Sequence, residues 1–365
     1  MRLLATAAVL VGLLAAPAAG EASTVPFGFF GMSVDGPMLA PTVDLTTQFG
    51  RMTSVGAESV ITEVNWNVIQ PQQNTAPDFS RTDRIVLGAA ARGMSVLDNV
   101  LYAPRWAATD PGNGASPPKP ALYAQFLREL IARYGPDGTL WTEHPVVPKI
   151  PVRDWQVWNE PPSKGFWSVQ PFAKPYVALL RQAHAAIKSA DPGARVVLAG
   201  LTFKSWQDLG TLYKAGAHGL FDAVSLHPYT LRVNAVKYII GQNRNVMNAH
   251  GDRRLPILVT ELSWPSAKGT THQHYGYEQT EQGEAAKLRE AFPKLAAART
   301  RLGIERVYWS TWLTTDTGHN TFDYSGLNKL RKGKIVAKPA LAAYRESALK
   351  LEGCKRKGAT AARCG

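Results

Sequence analysis

Cysteine is nearly absent from this chain. Only Cys354 and Cys364 occur among 365 residues, both close to the C-terminus, so no thiolate metal cluster or redox pair is available to the body of the fold. In an exported protein so close a pair forms a disulfide, here closing a small basic loop over residues 355–363. No histidine stands beside the pair, and His272 and His274 read as a loop pair, so no metal is expected. Acid is the scarcer charge, with 28 Asp and Glu against 41 Lys and Arg. The imbalance is steepest over residues 329–365, where eleven basic residues face only Glu346 and Glu352. Such a patch either binds an anionic wall polymer through the C-terminal tail or is simply solvated surface. Nucleic acid is not the expected partner of an exported chain.

Long apolar runs are missing everywhere except at the start. Arg2 precedes an apolar stretch over residues 3–16, followed by the small-residue sites Ala16-Pro17-Ala18 and Gly20-Glu21-Ala22. The stretch falls short of the roughly 20 apolar residues that span a bilayer. Residues 1–22 therefore read as a cleaved secretory signal, which makes the protein secreted, with no transmembrane segment expected. Also lacking is a glycine-rich phosphate loop after the first strand, which argues against a dinucleotide-binding open sheet. No cofactor is expected.

What is present is alternation. With 45% hydrophobic and 19% charged residues, the chain has the composition of a folded protein. Apolar strand patterns at residues 27–32, 59–64, 95–100, 155–159, 195–199, 223–226, 257–260 and 306–309 are each followed by a helical pattern. Runs such as Val196-Val197-Leu198 and Ile257-Leu258-Val259 are apolar on both faces, as buried parallel strands are. Eight such units predict an α/β fold, a (β/α)8 barrel. Residues 23–350 would form the barrel and residues 351–365 a basic, disulfide-closed tail, the whole acting as a monomer.

Two strands end in a glutamate. Trp155-Gln156-Val157-Trp158-Asn159-Glu160 stops at Pro161 and Pro162, and Ile257-Leu258-Val259-Thr260 stops at Glu261. Strand alternation predicts Trp155 and Val157 on one face, with Gln156 and Trp158 on the other. A residue at the C-terminal end of a barrel strand faces the bowl where ligands bind. Two carboxyls so placed are what glycosidic bond cleavage requires, one to protonate the leaving oxygen and one to attack or to activate water. Glu160 is assigned as acid/base and Glu261 as nucleophile, the only acids expected both to close an apolar strand and to sit among aromatics and amides. Asn159 would bind a sugar hydroxyl, and Tyr229 would donate to the Glu261 carboxylate. His227 reads equally as a buried histidine or as a sugar contact. Trp66, Trp309 and Trp312, with Trp106, Trp158, Trp167 and Trp264, stand near strand ends and predict an aromatic rim on which sugar rings stack.

These segments resemble the clan A glycoside hydrolases: Trp158-Asn159-Glu160-Pro161, His227-Pro228-Tyr229 and Thr260-Glu261-Leu262-Ser263-Trp264 look like the fourth, sixth and seventh strands of those retaining barrels. Within the clan the run from 159 to 167 is most like family 39, the β-xylosidase and iduronidase group, or a family 5, cellulase-like relative. The resemblance implies double displacement through a glycosyl-enzyme intermediate, on a polysaccharide or oligosaccharide. It also implies an arginine on the second strand, where this chain has Ile61, with Arg105 as a possible substitute. The resemblance further implies the β-sandwich of family 39 xylosidases, for which no strand pattern is expected beyond the eighth helix. Ile61 keeps open a second reading, a non-catalytic glycan-binding barrel at the cell surface. The basic tail suggests a third, a surface-attachment protein.

Overall fold

The structure, a computed structural model, describes residues 24–271 and 273–364. The expected signal segment and His272 lie outside them. Eight parallel strands close into a barrel in sequence order: β1 (Phe30–Ser33), β2 (Ser59–Asn65), β3 (Ser95–Leu101), β4 (Asp154–Asn159), β5 (Arg195–Thr202), β6 (Val224–His227), β7 (Ile257–Leu262) and β8 (Ile304–Trp309). β1 pairs with both β2 and β8, so the sheet has no free edge. The outer layer comprises α1 (Leu45–Ser54), α2 (Trp66–Ile69), α3 (Ser80–Ala90), α4 (Pro120–Tyr134), α5 (Thr139–Glu143), α6 (Ala173–Ala190), α7 (Ser205–Lys214), α8 (Val233–Ala249), α9 (Glu281–Leu302) and α10 (Pro339–Leu351). The expected (β/α)8 class is the observed one.

Local chemistry accounts for the elements. α4 buries Tyr123, Phe126, Leu127, Leu130, Ile131 and Tyr134, the stripe that spacings of three and four residues place on one helix face. Asp44 caps α1 by accepting from the Thr47 amide, and Thr280 caps α9 by accepting from the Gly283 amide. α9 ends at Gly303, whose φ of 67° is the left-handed conformation that glycine adopts without cost.

The inside of the barrel is stratified. Ile61, Leu97, Val197, Ala223, Leu258 and Tyr308 fill its middle as one apolar cluster. Below them, at the N-terminal ends of the strands, Asp154 accepts from Arg195 at 2.6 Å and from Arg306 at 2.8 Å. Burial works against charge on Asp154, but the two guanidinium groups outweigh it and lower its pKa. Above the apolar layer the inward positions turn polar, beginning with Asn99 and Gln156, which face each other across β3 and β4.

β4 departs from strict alternation. Trp158 has a φ of 71°, and its ring packs against Tyr123 of α4 and Trp167 rather than inside the barrel with Gln156. The inversion brings Asn159 inward, where its Oδ1 accepts from the amides of Asn99 and Gln156 at 3.3 and 3.4 Å. The left-handed residue thus sends Trp158 to the helix layer and returns the strand end to the bowl.

The stretch after β8, which reads from sequence as a loop, holds a small sheet of β9 (Leu313–Thr314), β10 (Asn328–Arg331) and β11 (Lys334–Ala337). β9 is two residues long, and β10 and β11 are mostly half-buried or exposed, so none carries the buried apolar run that marks the barrel strands. Residues 351–364 do not stand apart from the barrel but fold against its base. The Ala361 amide donates to the Arg92 carbonyl, and Thr53 donates to the Gly358 carbonyl. Lys357, 3% exposed, pairs with Glu58 and with Glu352 at 2.8 Å. Cys354 and Cys364 form the disulfide pair, with Cα atoms 5.4 Å apart.

Candidate active site

Glu160 directly follows β4, and Glu261 is the fifth residue of β7. Both carboxyls reach the bowl at the C-terminal ends of the strands. Glu160 holds a φ of 40°, a conformation that costs a non-glycine residue about 1–3 kcal/mol and persists where surrounding structure over-determines it. Its backbone is fixed by donation from its amide to the Gly200 carbonyl at 3.1 Å. One oxygen of Glu160, one of Glu261 and a ring nitrogen of His227 all lie within 4.8 Å of one another.

His227 closes β6 and stands beneath both acids, with its side chain 1% exposed. Its Nδ1 is 2.7 Å from Glu160 Oε1 and its Nε2 is 3.5 Å from Glu261 Oε1. Gly200 makes this seat possible, because a Cβ there would stand 2.1 Å from the imidazole Nε2. Tyr229 donates to Glu261 Oε2 at 2.8 Å and is itself stacked on Tyr277 and packed edge-on against Phe322. With Oδ1 of Asn159 already taken by two amides, its Nδ2 remains to donate into the cleft.

The charges at this site oppose one another. Burial disfavours a charged His227, but Glu261 and the hydrogen bond to Glu160 outweigh it and raise its pKa. Burial raises the pKa of Glu261, as do Glu160 and Asp35, while His227 and the Tyr229 hydroxyl pull it down. Two carboxylates and one imidazole at such distances form a donor set that a cation can engage. Within the set, His227 Nδ1 is hydrogen-bonded to Glu160, whereas Nε2, 3.5 Å from Glu261, has no hydrogen-bond partner.

Two further acids stand in the cleft that sequence reasoning missed. Asp35, after β1, accepts from Thr311 at 2.7 Å and from Ser33 at 2.9 Å; burial raises its pKa against these hydrogen bonds. Glu63, on β2, is pushed up to about 7 by burial and then by the charges of Asp35 and Glu261. Glu160 and Glu261 are therefore not alone among aromatics and amides at strand ends. Ile61, aligned above with the arginine of the resemblance, points into the barrel's apolar middle; two residues on, Glu63 is the β2 side chain that reaches the cleft. Arg105 is exposed and donates to the Pro111 carbonyl, away from the acids.

The cleft encloses about 480 Å³. Four carboxylates line it, and among the described residues no Lys or Arg does. Its aromatic walls are Phe166, Phe203, Tyr229, Tyr275, Tyr277 and Phe322. The expected tryptophan rim is placed elsewhere. Trp66, Trp158, Trp167, Trp264, Trp309 and Trp312 are all fully buried. Trp66 stacks on Phe126 of α4. Trp309 donates to the Ser325 carbonyl, and Trp312 donates to Gln48 beneath the Arg51 guanidinium. Large rings at strand ends are drawn into the seam between sheet and helices, where they bury most surface.

No protein-family model matches this chain, and no curated protein does. Solved structures do match. A family 39 glycoside hydrolase from the gut symbiont Bacteroides cellulosilyticus WH2 superposes with a TM-score of 0.64 at 17% identity, over 90% of this chain and 64% of that one. A monomeric β-xylosidase from Caulobacter crescentus CB15 gives 0.62 at 18%, over 89% and 69%. A GH5_18 protein from Bifidobacterium longum subsp. infantis gives 0.63 at 16%, over 88% and 78%. The chain thus spans less than two thirds of the first of these. At such identities, what is shared is the (β/α)8 barrel, along nearly the whole of the described chain.

Proposed function

We propose that this protein is a secreted retaining glycoside hydrolase that cleaves O-glycosidic bonds of a polysaccharide or oligosaccharide by double displacement. The observation that carries the proposal is that Glu160 and Glu261, from the ends of β4 and β7, bring one carboxyl oxygen each to within 4.8 Å of the other. Retaining enzymes hold their carboxyls ~5–5.5 Å apart, whereas inverting enzymes need ~6.5–9.5 Å to admit a water. The barrel's similarity to glycoside hydrolases of families 39 and 5 agrees with it.

In the first step Glu261 attacks the anomeric carbon, and Glu160 gives its proton to the departing glycosidic oxygen. Tyr229 fixes the rotation of the Glu261 carboxylate, so its orbital is aimed without further ordering. In the second step Glu160 takes a proton from water as that water attacks the glycosyl-enzyme, which releases Glu261. His227 holds Glu160 from below in both steps. The acid-lined cleft, with no Lys or Arg among the described residues to meet a uronate, favours a neutral sugar. Neither step needs a cofactor or a metal.

The test is reducing-sugar release from a panel of soluble glycans and aryl glycosides. Glu261→Ala should lower kcat by about 10³-fold or more. Glu160→Ala should be rescued by azide on an activated aryl glycoside, with a glycosyl azide of retained configuration as product. Wild-type turnover should be unchanged in EDTA. Inverted product, or loss of activity in EDTA, would overturn the mechanism.

A further inference from the structure

Phe203 carries two costs at once. It is 62% exposed, the most of any residue among the exposed large hydrophobics that also line the cleft. It also holds a φ of 49°, in the left-handed region that a bulky side chain rarely occupies. A solvent-facing aromatic in a strained backbone is not explained by packing, and strain of this kind gathers at ligand clamps.

Its position says which part of a ligand it meets. Phe203 follows Thr202, the last residue of β5, and β5 is paired with β4, which presents Glu160. The Glu160 amide is bonded to Gly200, three residues before Phe203. Phe203 therefore stands on the acid/base side of the cleft. Asp35, just after β1, and Glu63, on β2, stand apart from it across the bowl. The glycosidic oxygen protonated by Glu160 leaves with the departing group, so the wall beside Glu160 faces that group. Tyr275, 41% exposed on the loop after β7, supplies a second ring to the same cleft.

We infer that Phe203 is the stacking platform for a second pyranose ring on the leaving-group side, and that the natural substrate is a glycan with a sugar in that position rather than a glycoside of a small alcohol. The inference rests on the glycosidase function proposed above. A pyranose presents a face of C–H groups that packs on an aromatic ring, whereas its hydroxyls match the carboxylates on the opposite wall.

The experiment compares two substrates with the same glycone: an oligosaccharide found in the screen and the corresponding glycosyl fluoride, whose leaving group has no ring to stack. Phe203→Ala should lose about tenfold more kcat/KM on the oligosaccharide than on the fluoride, a difference of the size one stacked ring supplies. Phe203→Trp should restore it. Phe203→Gly, which suits the left-handed backbone, should show the same kinetic split as Phe203→Ala while melting no lower than wild type, which separates lost stacking from lost folding. Equal losses on both substrates, or none on either, would overturn the platform while leaving the glycosidase function standing. A folded wild type inert across the whole screen would overturn both together.

Discussion

Gly200 and His227 show how little freedom the site has at the level of single residues. The imidazole fills the space that any side chain at position 200 would need, and it is bonded to one acid and close to the other. Glu63 is the residue whose titration should be visible. Its pKa is raised from 4.5 to about 7, so between those values the folded protein holds a proton that the unfolded chain has lost. The folded state is then favoured most below about 4.5, and that contribution is lost as pH rises through 7. Replacing the carboxyl with the amide in Glu63→Gln should leave stability at pH 4.5 unchanged. At pH 8 the variant should be more stable than wild type by about 1–3 kcal/mol in urea unfolding. A Glu63→Gln curve parallel to wild type across this range would mean that Glu63 titrates normally. Glu160 and Glu261 were legible because each closes an apolar run inside a recognisable motif. Glu63 was legible in principle, as a charge inside the apolar strand Ile61-Thr62-Glu63-Val64. Asp35 was not, because Asp35-Gly36-Pro37 has the composition of an ordinary turn.

At the scale of elements, the eight strand-helix units were readable because their periods differ and each is long enough to show one. The inversion at Trp158 was hidden, since a left-handed residue leaves no mark on composition. So was the sheet of β9 to β11, whose strands carry no buried apolar run of the kind that marks the barrel strands. That sheet leads into α10 through a buried ion pair. Lys338 is 2.9 Å from Glu284 at the start of α9 and also donates to the Tyr324 carbonyl, and neither partner is exposed. Burial holds Glu284 up at about 8 despite the lysine. Lys338→Met should therefore destabilise the protein by about 3 kcal/mol at pH 9, where Glu284 must either stay charged without its partner or hold a proton that the unfolded chain has lost. Adding Glu284→Leu should recover most of that loss. Denaturant midpoints for the two single variants and the double variant would measure the coupling, and additive effects would show that the pair does not interact.

Across the whole molecule, chemistry and charge are divided between the two ends of the barrel. The acid-lined cleft is at the C-terminal end of the strands, and the tail is folded under the N-terminal end. Removing residues 353–365 would take Lys357 from Glu58 and Glu352, and Glu352, held up at about 8 by burial and by Glu58, would lose its cation. The truncated protein should melt about 5 °C lower, with kcat/KM at 25 °C within roughly twofold of wild type because the acids sit at the far end of the strands. Lys357→Met should reproduce most of the shift. A truncation that leaves melting unchanged would show the tail to be an appendage. The tail's remaining cations, Lys355, Arg356 and Arg363, are exposed around the base.

That arrangement has an orientational meaning. A barrel attached to an anionic surface by its underside would stand upright, mouth outward, and its reach would be toward the medium. Such a protein would harvest glycans arriving from solution and would leave untouched the polymer it stands on.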